Sequence, residues 1–158
     1  MDQSATDQGI FRSVAIHPMD ADTVISVSAL ETVCFPDPWS IRSLRDELKN
    51  PLAVYYTALL GARVVGYAGM HHIVDEGHIT KIAVHPEQRR QGVGSLMIEA
   101  LLRCAKERGM RLLTLEVRAS NDAAVALYEH LGFVSLGRRC GYYSRPKDDA
   151  VIMTAVLD

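Results

Sequence analysis

Residues 82–102 read IAVHPEQRRQGVGSLMIEALL. An apolar stretch runs into His85 and Pro86. A loop with paired arginines and two glycines follows, and an apolar-periodic segment begins behind it. The apolar stretch belongs to GHITKIAV, which reads as a β-strand. The segment after the loop has helical spacing, with Met97, Leu101, Cys104 and Ala105 on one side and Gly109 as its stop. The next segment, RLLTLEV, is again strand-like. Strand, loop, helix and strand make a crossover, and a crossover of this length serves parallel strands.

Outward from that unit the elements alternate in kind. On the N-terminal side, FRSVAIH reads as a strand. PMDADTVISVSALETVC reads as a helix with Asp20 as a candidate cap. FPDPWS is a turn-rich loop, and Ser40 opens a second helix with Ile41, Leu44 and Leu48 at helical spacing. AVYYTALL and RVVGYAGMHHI form a hairpin through a short Gly-Ala turn. On the C-terminal side, SNDAAVALYEHLG is a helix with Ser120 or Asn121 at its cap and Gly132 at its end. FVSLGRRCGYY and AVIMTAVL are the closing strands. The order β-α-α-β-β-β-α-β-α-β-β combines hairpins with crossovers. The fold class is therefore α/β (α+β), a mixed sheet with helices on its faces.

Bulk properties narrow the function. The 158 residues suit one domain, expected over residues 10–158, with a flexible start at residues 1–9. Apolar residues make up 48% and charged residues 23%, an ordinary globular balance. The net charge of −2, with no long basic run, speaks against a nucleic-acid surface. The longest apolar stretch is interrupted by Arg63 and glycines, so no membrane span is expected. The polar start lacks a signal-peptide core, and a cytoplasmic location is expected. The three cysteines, Cys34, Cys104 and Cys140, form no CxxC and are expected to be reduced and mostly buried. His71 and His72 are adjacent and face opposite sides of a strand. His78 and His85 have no third ligand at metal spacing. Structural or surface roles are expected for all four, and no metal.

The glycine loop has a chemical reading. Free backbone N–H groups at a helix start attract anionic oxygens, and glycine lets the ligand approach that backbone. Arg89, Arg90, Gln91, Gly92, Val93, Gly94 and Ser95 supply this arrangement, with two cations beside it. No GxxxxGK[ST] is present, so it is not a nucleotide-triphosphate loop of that kind. Ser95, Leu96 and Met97 follow Gly94, so the third glycine of a dinucleotide fingerprint is missing. The plain alternative is a strand-to-helix turn that uses glycine for geometry alone.

Taken together, IAVHPEQRRQGVGSLMIEALL, LEVRASNDAAVALYEHLGF and GYY…DDAVIM resemble the GNAT superfamily of N-acetyltransferases. The likeness is strongest to the N-terminal protein acetyltransferases of the ribosomal-protein-alanine (RimI-like) branch. It covers about residues 11–156 and is densest from Ile79 to Phe133. The resemblance implies the GNAT fold, a mixed, mostly antiparallel central sheet of about seven strands flanked by helices. It implies acetyl-CoA as cosubstrate, with its pyrophosphate on the loop from Arg89 to Ser95. Its pantetheine arm would lie along the backbone of Ile82, Ala83 and Val84, with Asn121 as a further contact or as the helix cap. It implies Glu116 as general base. This carboxylate closes an apolar strand and would be partly desolvated; the plain alternative is an exposed glutamate or one paired with Arg118. Tyr128 is the implied acid for the departing thiolate, or else a core tyrosine packed near Phe133. Tyr142 or Tyr143 would line the peptide entrance, Trp39 would anchor a helical lid, and residues 145–147 would stand where acceptor access is gated.

The implied acceptor is a free protein N-terminus, a small-subunit ribosomal protein that begins with Ala. Physical chemistry favours such an amine. An α-amine has a pKa of about 7.7–8.0 against about 10.4 for lysine, so near pH 7 far more of it is neutral and nucleophilic. A lysine or small-molecule amine acetyltransferase and a non-catalytic acetyl-CoA-binding module are the alternatives. No long apolar stripe is left over, so a monomer is expected.

Overall fold

The computed structural model describes residues 13–157. The start expected to be flexible, and the first two residues of the strand expected from Phe11, lie outside them. The described strands are β1 (Val14–Pro18), β2 (Ala53–Leu60), β3 (Arg63–Ile73), β4 (Glu76–Val84), β5 (Leu112–Arg118), β6 (Val134–Ser144) and β7 (Lys147–Val156). The helices are α1 (Val24–Cys34), α2 (Ile41–Lys49), α3 (Val93–Glu107) and α4 (Asp122–His130), with a 3-10 turn at Pro86–Gln88. The order along the chain is the one expected from the sequence. The seven strands form one sheet in the order β1-β2-β3-β4-β5-β7-β6. β4 and β5 run parallel. The pairs β1–β2, β5–β7 and β6–β7 are antiparallel. The sheet is thus mixed and mostly antiparallel, as the resemblance implied.

The chain divides into two compact units. One holds the described residues up to Met70 together with Lys81–Leu101. Its core gathers Met19, Val24, Val27, Leu30, Leu44, Tyr55, Val64, Tyr67 and Ala83. The run Val64–Met70 of β3 is buried without alternation, as a strand covered on both faces must be. Gly66 suits this close packing: a Cβ would stand 3.0 Å from both the Ala83 carbonyl oxygen and the Met97 methyl carbon, so that a neighbour would have to shift by a few tenths of an ångström. Ser40 caps α2 by accepting the Ser43 N–H at 3.1 Å. Asp20 does not cap α1. It accepts the N–H groups of Asp22 and Thr23, both at 2.9 Å, and so closes the turn before the helix.

This first core contains a charge. Glu31, on α1, is fully buried. Its Oε1 accepts the Trp39 N–H at 2.8 Å and lies 3.3 Å from the Lys81 ammonium. That ammonium sits 4.0 Å from the centre of the Phe35 ring and 4.6 Å from that of Trp39. Trp39 packs edge-on against Tyr55, with ring centres 6.4 Å apart. One carboxylate therefore fixes the backbone of the FPDPWS segment and a side chain of β4 together.

The other unit comprises His71–Thr80 and the described residues from Leu102 on. Strand β5 alternates cleanly: Leu113, Leu115 and Val117 are buried, while Leu112, Thr114, Glu116 and Arg118 face the other way and are half-buried. Asn121 caps α4 by accepting the Ala124 N–H at 3.1 Å. β7 begins at Lys147, three residues before the expected Ala150, because Asp148 and Asp149 already pair with β6 and β5 surroundings through their backbone. Cys34 and Cys104 are half-buried and Cys140 is exposed, so the expectation of mostly buried thiols does not hold for Cys140.

The buried ion pair yields a stability prediction. Lys81→Met leaves the Glu31 carboxylate buried with a single hydrogen-bond donor, and should cost about 3–5 kcal/mol in urea denaturation. The double variant Glu31→Gln/Lys81→Met, which removes both charges, should regain most of that loss. A single-variant cost below about 1 kcal/mol would mean that water reaches the carboxylate.

Candidate active site

The second unit brings His78, Glu116, Arg118 and Tyr143 near one another. In the parallel ladder His78 of β4 stands opposite Thr114 of β5. Glu116 is two residues further along β5 on the same face, a diagonal neighbour of His78. The contact is direct: His78 Nε2 lies 2.6 Å from Glu116 Oε2. The Glu116 side chain is 14% exposed and that of His78 40%, so the pair is reached from solvent on the histidine side.

Arg118 continues the same face but does not pair with Glu116. Its guanidinium donates to the carbonyl oxygens of Pro146 at 2.8 Å and Arg145 at 3.0 Å. It also covers the Tyr143 ring, with Cζ 4.2 Å from the ring centre. Burial, then Tyr142 and the Glu116 carboxylate, push the Tyr143 phenol up, while Arg118 pulls it down. Tyr128, on α4, is 8% exposed and packs edge-on against Phe133, with ring centres 5.9 Å apart. Burial, with a smaller effect from Tyr143, pushes its phenol up to about 12. Tyr143 thus lies within electrostatic reach of both Glu116 and Tyr128.

The first unit carries the glycine loop. His85 opens the 3-10 turn, its Nδ1 accepting the Glu87 N–H at 3.1 Å, and its own N–H donates to Val65 O at 2.8 Å. Arg89 folds back, its Nε donating to Val84 O at 3.1 Å. Arg90 is exposed and adopts φ +64°, a left-handed conformation that costs a side chain on the order of 1 kcal/mol. Gly92 takes φ +82°, where glycine is at ease. Its carbonyl accepts the Leu96 N–H at 3.1 Å, the first bond of α3. Val93, Gly94 and Ser95 therefore hold N–H groups with no acceptor inside the helix. The Gln91 side-chain oxygen is buried without a hydrogen-bond partner. Ile82 and Val84 are half-buried and Ala83 is buried. The β5 ladder involves Glu76, Gly77 and His78, and β4 continues beyond it to Val84.

The sequence profile of the acetyltransferase (GNAT) family matches residues 24–133. The chain belongs to the GNAT family. The ribosomal protein bS18-alanine N-acetyltransferase of Escherichia coli (strain K12) is 33% identical over 141 residues, covering 81% of this chain and 95% of that protein. The N-alpha-acetyltransferase RimI of Mycobacterium tuberculosis is 36% identical over 121 residues, 74% of this chain and 75% of that one. The crystal structure of the Escherichia coli ribosomal-protein alanine N-acetyltransferase superposes with a TM-score of 0.84 at 30% identity, covering 92% of this chain and 94% of that one. This GNAT protein is an acetyl-transferring enzyme.

Of the residues expected from the sequence, Glu116, Tyr128 and Asn121 lie in the second unit, and Ile82–Val84 with the loop from Arg89 to Ser95 lie in the first. His78, for which a structural or surface role is expected from the sequence, makes its contact with Glu116. Its only sequence signal is its place on the strand before the glycine loop. Among the described residues, no group of three or more His, Cys, Asp and Glu is placed to hold a metal ion. No helix among them is long and apolar enough to cross a membrane.

Tyr128 generates a pH prediction. Its ordinary pKa is 10.0 and its folded value about 12, so the folded state keeps a proton that the unfolded state loses. The stabilisation is complete below pH 10 and is lost as pH rises towards 12. Tyr128→Phe should show a shallower fall in stability than the wild type across that window in denaturant titrations. Equal slopes would mean that the phenol is solvated.

Proposed function

We propose that this GNAT enzyme transfers acetyl from acetyl-CoA to the free α-amine of a protein N-terminus, that of a small-subunit ribosomal protein beginning with Ala. The observation that carries this reading is the 2.6 Å contact between His78 and Glu116, with Tyr143 within electrostatic reach of that carboxylate. The names of the Escherichia coli and Mycobacterium tuberculosis relatives supply the acceptor class.

The chain's own groups fit acetyl-CoA. The N–H groups of Val93, Gly94 and Ser95 point out of a helix start, where the dipole favours a pyrophosphate, and exposed Arg90 adds charge. Arg89 supports the loop from below through its bond to Val84 O. The end of β4 from Ile82 to Val84 is suited to bonding an extended pantetheine arm as an added strand. Asn121 caps α4 through its side chain, and its role toward the cofactor comes second to that.

When bound, acetyl-CoA supplies a thioester whose carbonyl carbon is open to attack. Glu116 takes the proton from the acceptor amine, directly or through a water, as its nitrogen bonds to that carbon. His78 fixes the orientation of the carboxylate and accepts or relays the proton, according to its tautomer. Tyr128 offers its hydroxyl proton to the sulfur as the carbon–sulfur bond breaks. The products are the N-acetylated chain and CoA. The acceptor's α-amine, already partly neutral near pH 7, demands less of a single carboxylate than lysine would.

The test is acetyl-CoA turnover, followed by thiol release. The acceptors are peptides with free Ala, Ser or Met starts, the same peptides blocked, and blocked peptides that carry lysine. Turnover confined to free starts, with Ala preferred, is expected. Glu116→Gln and Tyr128→Phe should each lower kcat by about 10²–10⁴ while acetyl-CoA affinity stays unchanged. Faster reaction at lysine would keep the chemistry and refute the acceptor. Binding of acetyl-CoA without any turnover would leave a binding module.

A further inference from the structure

Arg118 at the end of β5 and the two residues after it hold the β6–β7 turn and the start of β7 at three points. Arg118 forks onto two successive carbonyls of the turn, Arg145 O and Pro146 O. Ala119 N–H donates to Asp149 O at 2.9 Å. The Ser120 hydroxyl donates to Asp148 Oδ2 at 2.6 Å, and the Ser120 N–H reaches the same oxygen at 3.3 Å. The grip is needed because β6 gives little support of its own. It is the last strand of the sheet and is exposed along nearly its whole length. Its register with β7 also breaks between Arg139 and Tyr143. An edge hairpin with an interrupted ladder opens locally at small cost. Tyr143 stands just beyond that break, with Tyr142 edge-on to it at 4.9 Å between ring centres.

Arg118 is the member of this grip that also touches Tyr143, and it lies two residues from Glu116 on the same face of β5. We propose that Arg118 is a positioning residue for acetyl transfer: it latches the β6–β7 turn and stacks on Tyr143, so that this tyrosine stands beside Glu116 as a fixed wall for the acceptor peptide. This rests on the proposed function, because only a peptide acceptor needs such a wall. The task suits arginine. A planar guanidinium can bond two carbonyls at its edge while its face covers a ring, and an ammonium cannot do both.

The test compares the wild type with Arg118→Met and Arg118→Lys, using a free-Ala peptide and acetyl-CoA. Arg118→Met should raise the peptide KM on the order of ten- to hundredfold, the penalty of a misplaced substrate, with the acetyl-CoA KM unchanged. Arg118→Lys, which keeps the cation but not the fork, should fall between. Amide hydrogen exchange should quicken across residues 143–147 in Arg118→Met and remain as in the wild type in α4. Unchanged exchange at the turn would overturn the latch. Faster exchange with both KM values unchanged, or with both raised together, would overturn the positioning role and leave a structural brace. A wild type inactive on every free N-terminus would instead refute the proposed function, and the exchange measurement, which needs no substrate, would still decide the latch.

Discussion

The parallel pairing of β4 with β5 is the constraint from which the rest follows. Parallel neighbours cannot be joined by a tight turn, so the chain must leave the end of β4, cross over and return. That crossover is α3, and its start is the glycine loop. The return fixes the rung His78↔Thr114, and with it the diagonal that brings His78 to Glu116. A slip of one residue along this ladder would turn Glu116 to the face where Leu113, Leu115 and Val117 are buried. The loop and the carboxylate pair are thus two consequences of one topological choice.

The two carboxylates with cationic or histidine partners in apolar surroundings show how environment assigns roles. Glu31 is fully buried, and its ammonium partner is itself covered by Phe35 and Trp39. A group so enclosed can hold a loop in place but cannot meet a substrate. Its second oxygen and the Tyr67 hydroxyl find no hydrogen-bond partner, although the carboxylate and, above all, burial push the Tyr67 phenol up. Leaving polar atoms unpaired in a core costs stability. Glu116 is shielded less and has a partner open to solvent, a setting that suits the proton acceptor of the proposed mechanism.

Among the described residues the order of elements was legible because each follows from local chemistry: period-two runs for strands, helical spacing for α2 and α3, and glycines at Gly109 and Gly132 to end helices. Differences arose where side chains compete for backbone. Asp20 has the type of a cap but spends itself on the turn before α1. Glu116, Tyr128 and the loop enter the proposed site through motif. The partner of Glu116 was not legible, because His78 is 38 residues away and meets it only through strand register. Arg118 was the nearer candidate partner in sequence. It is drawn off by two turn carbonyls and a tyrosine ring, which sequence spacing alone does not bring together.

On the proposed mechanism the burial of Tyr128 has two opposing effects. A phenol held at about 12 keeps its proton throughout the neutral range, so the acid is always loaded. It is also weaker than a free thiol, whose pKa is about 8.5, and full transfer to a solvated thiolate would be uphill. The comparison changes inside the site, because burial penalises a thiolate as it does a phenolate. What counts is the difference between two acids sharing one environment, and desolvation narrows it. A hydrogen bond from the phenol to sulfur also gains strength as negative charge develops there, so stabilisation is greatest when the carbon–sulfur bond is breaking. Tyr128 therefore serves the reaction through the bond it makes at that moment more than through its acidity at rest.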